Sequence, residues 1–164
     1  MSQLDVEARE RIRELSALYM RGLDRLDDAL LRGVFHDDAS VDYGFFRGAA
    51  AEFVEFACNA LRSHASNHHL IGQILIWPDS AVSARGEVYF QAYHRIDGAD
   101  GPVDVLISGR YLDRYEQRAD GWKILYRSEV VDWTRTEPGA DDYLRRRPDA
   151  LRGARAPDDV SYLL

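Results

Sequence analysis

Cysteine is all but missing from this chain of 164 residues: Cys58 stands alone, which excludes an intramolecular disulfide and suits a reducing compartment. Positive charge is also in deficit, with 21 Lys and Arg against 28 Asp and Glu and a formal net charge of −7. Phosphate recognition needs a basic face, so no nucleic-acid partner is expected. The one basic cluster, Arg145-Arg146-Arg147 beside Pro148, reads as a solvated run in a tail. No apolar run has the length that spans a bilayer, and the opening "MSQLDVEARERIRELS" carries charge where a signal peptide would be apolar. No membrane association and a cytoplasmic location are therefore expected. Internal repeats and low-complexity segments are absent as well.

What is present suits one soluble domain: 46% of the residues are hydrophobic and 30% charged, and the length permits a single sizeable core. From Leu4 to Leu26, Ile12, Leu15, Tyr19, Gly22, Leu23 and Leu26 recur at helical spacing, with Asp5 placed as N-cap. A short second helix is predicted over about Asp27 to Phe35. "ASVDYGFF" then alternates, with Val41, Tyr43 and Phe45 on one face of a strand. A third helix, "AAAEFVEFACNALRS", follows Gly48, with Phe53, Ala57 and Leu61 sharing a face. Beyond it Leu70–Trp77, Ser83–Ile96, Val103–Arg118 and Trp122–Trp133 read as strands. The turns "PDS", "DGADGP" and "RADG" between them predict an antiparallel meander. Helices followed by a long antiparallel sheet make an α+β class. Residues 1–133 are expected to form the domain. Residues 134–164, rich in Pro, Gly and charge, form an extended tail packing on the domain or on a neighbouring subunit.

Five histidines are present, and two of them, His68 and His69, stand together in "ASNHHLIGQ". On a strand they face opposite sides and cannot jointly hold one metal by adjacency. Zinc needs three convergent ligands, usually with a local H-x-H or HExxH pair. Neither pair occurs, so no metal and no cofactor are expected. In "GEVYFQAYHRI" the period of two puts Val88, Phe90, Ala92 and His94 on one face, so His94 should line the interior. Tyr19 and Tyr43 fall on apolar faces of their elements. Asp24 sits at the C-terminal end of the first helix, where the helix dipole disfavours a carboxylate unless a cation or donor compensates, and a histidine is one natural compensator. Taken singly, each has an ordinary structural use. A strand-end histidine is usually solvated or satisfied by a carbonyl, the tyrosines fit a core with a wet hydroxyl, and Asp24 reads as a cap of the second helix. His36 and His64 read as surface residues, and His68 as the outward neighbour of His69.

Taken together these residues resemble the SnoaL-like branch of the NTF2-like superfamily, in particular its scytalone dehydratase and bile acid 7α-dehydratase members, over about Leu4 to Trp133. "YMRGLD" is similar to the first-helix motif with a tyrosine and a catalytic aspartate, which marks Tyr19 and Asp24. "VDYG" resembles a segment with an active-site tyrosine, here Tyr43. "HLIGQ" resembles the catalytic-histidine segment, marking His69, and "AYHR" the segment of a second histidine, His94. "DGWK" is like the turn that opens the last strand of many members. The chain departs from scytalone dehydratase where that enzyme uses a serine and an asparagine, since Gly109 and Tyr111 stand there, and Leu23 replaces a tyrosine.

The resemblance implies a cone, with a curved antiparallel sheet wrapped by about three helices around an interior cavity. It implies a cofactor-independent lyase of the dehydratase type, acting on a small hydrophobic cyclic or aromatic hydroxy-carbonyl substrate. Asp24, His69, Tyr19, Tyr43 and His94 would be catalytic, and Phe45, Phe53, Phe90 and Tyr111 would bind substrate. An isomerase or cyclase on the same fold, or a non-catalytic binding or assembly module, is the alternative. Outward Tyr89, Gln91 and Tyr93 leave a partly apolar sheet face, for which a homodimer or homotrimer is expected.

Overall fold

The computed structural model describes residues 4–164; the first three residues of the expected 1–133 domain lie outside the described residues. Helix α1, Val6–Arg25, starts where Asp5 accepts a hydrogen bond from the Ala8 N–H at 2.7 Å. Its buried stripe includes Ile12, Leu15, Tyr19 and Leu23. It stops at Leu26, whose left-handed backbone (φ 53°) returns its N–H to the Gly22 and Leu23 carbonyls. A Cβ at Gly22 would stand 2.5 Å from Leu31 Cγ, so glycine there lets α2, Asp28–Gly33, press onto α1. The N-cap of α2 is Asp27, which accepts from the Leu30 N–H at 3.0 Å. The capping role open to Asp24 is thus filled three residues later, and Asp24 is left for other work.

Strands β1 (Phe35–Asp42) and β2 (Arg47–Ala49) precede helix α3 (Ala50–Arg62). Strands β3 (Ser66–Pro78), β4 (Ser83–Gly98), β5 (Gly101–Arg118) and β6 (Gly121–Pro138) then form the expected meander. The six strands lie in the order β2-β1-β6-β5-β4-β3 in one curved, unclosed sheet. Every pairing is antiparallel except β1 with β6, which is parallel. Helices α1 and α3 cover the concave side, where Tyr19, Val54, Val88, Tyr111 and Ile124 belong to one buried core.

Several boundaries differ from the sequence reading. The first strand ends at Asp42, and the chain turns at Gly44 (φ 75°), so the alternation does not carry on to Phe45, which is 72% exposed. That strand begins early enough to include His36, which is buried with Nε2 2.9 Å from the Glu116 carbonyl oxygen rather than at the surface. β3 begins at Ser66, so His68 and His69 both lie inside the strand, His68 exposed and His69 buried.

The tail holds a short helix α4, Asp142–Arg146, and a final 3₁₀ turn, Val160–Leu163. Its last part packs on the end of α1. Arg25 pairs with Asp159 at 2.9 Å, Tyr162 donates to Asp27 at 2.7 Å, and the Arg21 guanidinium stands over the Tyr162 ring at 4.6 Å. Further along, Arg95 is buried between Asp104 of β5 and Asp141 of the tail, although its strand position pointed outward. Among the described residues no helix is long and apolar enough to cross a membrane.

Candidate active site

Asp24, in the last turn of α1, meets His69 of β3 in the interior. Its carboxylate accepts the His69 backbone N–H at 3.0 and 3.1 Å on its two oxygens, and its Oδ1 lies 2.7 Å from His69 Nδ1. Both residues are buried, so the unfavourable dipole position of the carboxylate is compensated by these donors. An Nδ1–H committed to Asp24 leaves His69 Nε2 with a free lone pair. A groove between α1 and β3, lined in part by Met20, Arg21, Asp24, His69, Ile71 and Ser161, reaches this pair from outside.

His94 lies on β4 beside it, with the two imidazole centroids 5.3 Å apart and the rings at 77°. Its Nδ1 stands 3.0 Å from the Asn67 side chain, and His64 Nδ1 stands 2.9 Å from the same group. Burial, reinforced by the neighbouring His69 and His64, presses His94 down to about 4, so it is a neutral imidazole at neutral pH. His64, read from sequence as a surface residue, is part of this cluster. Among the described residues no group of three or more His, Cys, Asp or Glu is placed to hold a metal ion.

Tyr19 and Tyr43 are joined through their hydroxyls at 2.6 Å. Burial pushes Tyr19 up to about 12, against the opposing pull of Arg127, and raises Tyr43 well above the ordinary phenol range. Both are therefore protonated at neutral pH; one hydroxyl proton lies in the bond between them, and the other is free to donate. Tyr43 stacks on Phe53 with centroids 4.1 Å apart, and Phe90 stacks on Tyr111 at 4.3 Å. These stacked rings lie in the interior, and a groove along α1 reaches the dyad. Of the residues expected around a substrate, Phe53, Phe90 and Tyr111 are interior and Phe45 is not.

Below the tyrosines lies a charged group that the sequence reading did not find. Arg127 of β6 is fully buried, makes a two-pronged pair with Asp113 at 2.7 and 2.8 Å, and stacks over Tyr19 and Tyr111 at 4.2 and 4.3 Å. Asp113 also accepts from the Tyr115 hydroxyl at 2.6 Å. The remaining amino group of Arg127, Nη1, has no hydrogen-bond partner among the described residues. Glu129, opposite Tyr111 in the β5–β6 register, is raised to about 7 by burial, and Arg127 only partly offsets this. Strict alternation from Trp122 and Ile124 would send Arg127 outward. A register irregularity between Ile124 and Tyr126 reverses the parity, so that Arg127 turns inward. That irregularity leaves no mark in the composition of "WKILYRSE".

The model of the SnoaL-like domain matches residues 5–128. No curated protein matches the chain. Among solved structures, the Kfla4162 protein from Kribbella flavida is 22% identical, with TM-score 0.72 over 80% of this chain and 95% of that one. A hexachlorocyclohexane dehydrochlorinase, LinA-type3 from Novosphingobium barchaimii LL02, is 19% identical, with TM-score 0.72 over 82% and 93% of the two chains. A candidate scytalone dehydratase from Novosphingobium aromaticivorans DSM 12444 is also 19% identical, with TM-score 0.69 over 93% and 94%. With its curved, open sheet and helices on the concave side, the chain has the NTF2-like fold and belongs to the SnoaL-like domain family.

Proposed function

We propose that the protein is a cofactor-independent lyase of the dehydratase type, eliminating water from a small hydrophobic cyclic or aromatic hydroxy-carbonyl compound in the cytoplasm. The observation that carries this reading is the buried Asp24–His69 pair, 2.7 Å between Oδ1 and Nδ1. The carboxylate holds the histidine in the tautomer whose Nε2 is a base, and stabilises the imidazolium once it forms. His69 Nε2 takes the proton from the carbon next to the carbonyl. The electron pair moves into the enolate, and the free hydroxyl proton of the Tyr19–Tyr43 pair, polarised by the other tyrosine and beside the fixed charge of Arg127, hydrogen-bonds the developing oxyanion. The enolate then expels the β-hydroxyl, and the imidazolium returns its proton to the departing oxygen. Water leaves, His69 is neutral again, and atoms and charge balance with no external reagent. His94, neutral in its buried place, orients the hydroxyl or carbonyl by a hydrogen bond.

Two points favour elimination chemistry over a passive binding module. An apolar carrier has no use for a buried acid–base pair, and a buried Arg–Asp pair is costly to desolvate for a fold that needs only a core. Solved proteins of the same fold carry the names dehydrochlorinase and scytalone dehydratase, both elimination catalysts by name. The test is turnover of a panel of cyclic β-hydroxy ketones, followed by absorbance of the conjugated product. Product formation that His69→Asn abolishes supports the reading. Tight binding of the panel with no turnover by the wild-type protein contradicts it.

A further inference from the structure

The Asn67 side chain is buried at a meeting point of three groups. His94 Nδ1 lies at 3.0 Å, His64 Nδ1 at 2.9 Å, and both terminal nitrogens of Arg155, from the C-terminal tail, at 3.0 and 3.1 Å. An amide has one end that only accepts and one that only donates, whereas a guanidinium only donates. The amide oxygen therefore faces Arg155. Turned the other way, its N–H groups would meet those of the guanidinium in a buried place, and neither would be satisfied. With the oxygen on Arg155, the amide nitrogen, which has two hydrogens and cannot accept, faces His94 Nδ1, His64 Nδ1 and the Ser66 carbonyl at 2.9–3.0 Å, so an Nδ1–H pointed at it would go unbonded.

We propose that Arg155 is a positioning residue for His94, acting through Asn67 to hold that imidazole in the tautomer with its proton on Nε2. Arg155 itself has little freedom to turn away. It also donates to the carbonyls of Asp24 at 2.6 Å and His64 at 3.1 Å, so it caps the end of α1 and clamps the end of α3 with the same group. A neutral imidazole that accepts at Nδ1 must carry its proton on Nε2. His69 is fixed in the opposite sense, with Nδ1–H on Asp24 and Nε2 bare. The two adjacent rings are thereby ordered as one acceptor and one donor. His69 receives a proton from carbon, while His94 offers an N–H to the oxygen that leaves or to the carbonyl. The use of that ordered pair rests on the elimination reading above; the tautomer itself does not.

The experiment is long-range ¹⁵N–¹H correlation on the full chain labelled at histidine, with His94 assigned by comparison with His94→Gln. In the wild-type protein at neutral pH, His94 is expected to show an unprotonated Nδ1 and a protonated Nε2. A protonated Nδ1, or an equal mixture, overturns the proposal. Asn67→Asp replaces the donor with an acceptor and is expected to invert the tautomer. Arg155→Met frees the amide and is expected to give a mixture, whereas Arg155→Lys keeps a donor in place and is expected to retain the Nε2–H form. Retention of pure Nε2–H in either Asn67→Asp or Arg155→Met overturns it. Should Arg155→Met fail to fold, Arg155→Gln, whose amide can turn either end to Asn67, takes its place with the same expectation of a mixture and the same refuting result. No substrate is needed, so failure here and absence of turnover are separate outcomes.

Discussion

Removing Asp113 should expose what the buried Arg127 is for. Both side chains are fully buried, and Asp113 accepts two bonds from Arg127 and one from Tyr115. Asp113→Leu leaves the guanidinium uncompensated at the centre of the sheet. Breaking a buried pair by removing one partner costs about 3–5 kcal/mol. A domain of this class has about 5–15 kcal/mol in total, and in one of this size each kcal/mol moves the melting temperature by about 2–4 °C. A fall of roughly 6–20 °C is therefore expected, read by urea and thermal unfolding. The double variant Asp113→Leu/Arg127→Met removes both charges at similar volume, and its stability should return to within about 2 kcal/mol of wild type. Its turnover should not return, because the positive charge stacked on Tyr19 is gone. Recovery of both stability and turnover in the double variant would refute the assignment of Arg127 to the oxyanion side of the site.

Other outcomes follow from the same structure. Glu129, with a folded value of about 7 against an ordinary 4.5, keeps its proton over a window in which the unfolded chain has lost it, so its contribution to stability falls as pH rises through that window. Glu129→Gln should gain on wild type by up to about 3 kcal/mol from the bottom to the top of the window, and a pH-independent difference in urea midpoints would refute the burial cause. His94 works in the opposite sense, since its folded value of about 4 lies below the ordinary 6.5 and its contribution is lost as pH falls between them. His94→Gln should therefore flatten the acid limb of the stability profile, and an unchanged limb speaks against a buried neutral imidazole. Light scattering should find a dimer or trimer, because Trp77 and Trp133 on the sheet stand 44% and 46% exposed, and a monomer at micromolar concentration counts against it. Activity should survive exhaustive chelation, and a stoichiometric metal on His69 and His94 would contradict the mechanism.

The parts of the fold that were legible in the sequence are those governed by local periodicity. Alternation along β4 is unbroken, so His94 could be placed on the concave face from its distance to Val88 and Phe90. Asp5 as cap and the stripe of α1 were equally local. What stayed hidden depends on register or on distant contacts. The irregularity near Leu125 reversed the parity of Arg127 and Glu129, and the turn at Gly44 carried Phe45 out of its row. Taken alone Asp24 reads as a cap, because nothing within a few residues shows that His69 approaches it from 45 positions away; only the resemblance of "YMRGLD" pointed to catalysis. The tail has no periodicity from which to read that Arg155 reaches Asn67. A buried His36 and a clustered His64 were unreadable for the same reason: burial of a polar group is decided by its partner, and the partner is remote.

The central claim is that Asp24 and His69 act as one acid–base unit, and the most direct test is turnover of His69→Asn, Asp24→Asn, their combination and His68→Asn. His69→Asn roughly preserves volume and removes the base, so kcat should fall by about 10²–10⁴-fold in a folded protein. Asp24→Asn should also slow the reaction, and the double variant should be little worse than the slower single one. His68, exposed on the opposite face of β3, should tolerate the same change with turnover near wild type. Loss of activity in His68→Asn with His69→Asn unaffected would contradict the account, as would full activity in both.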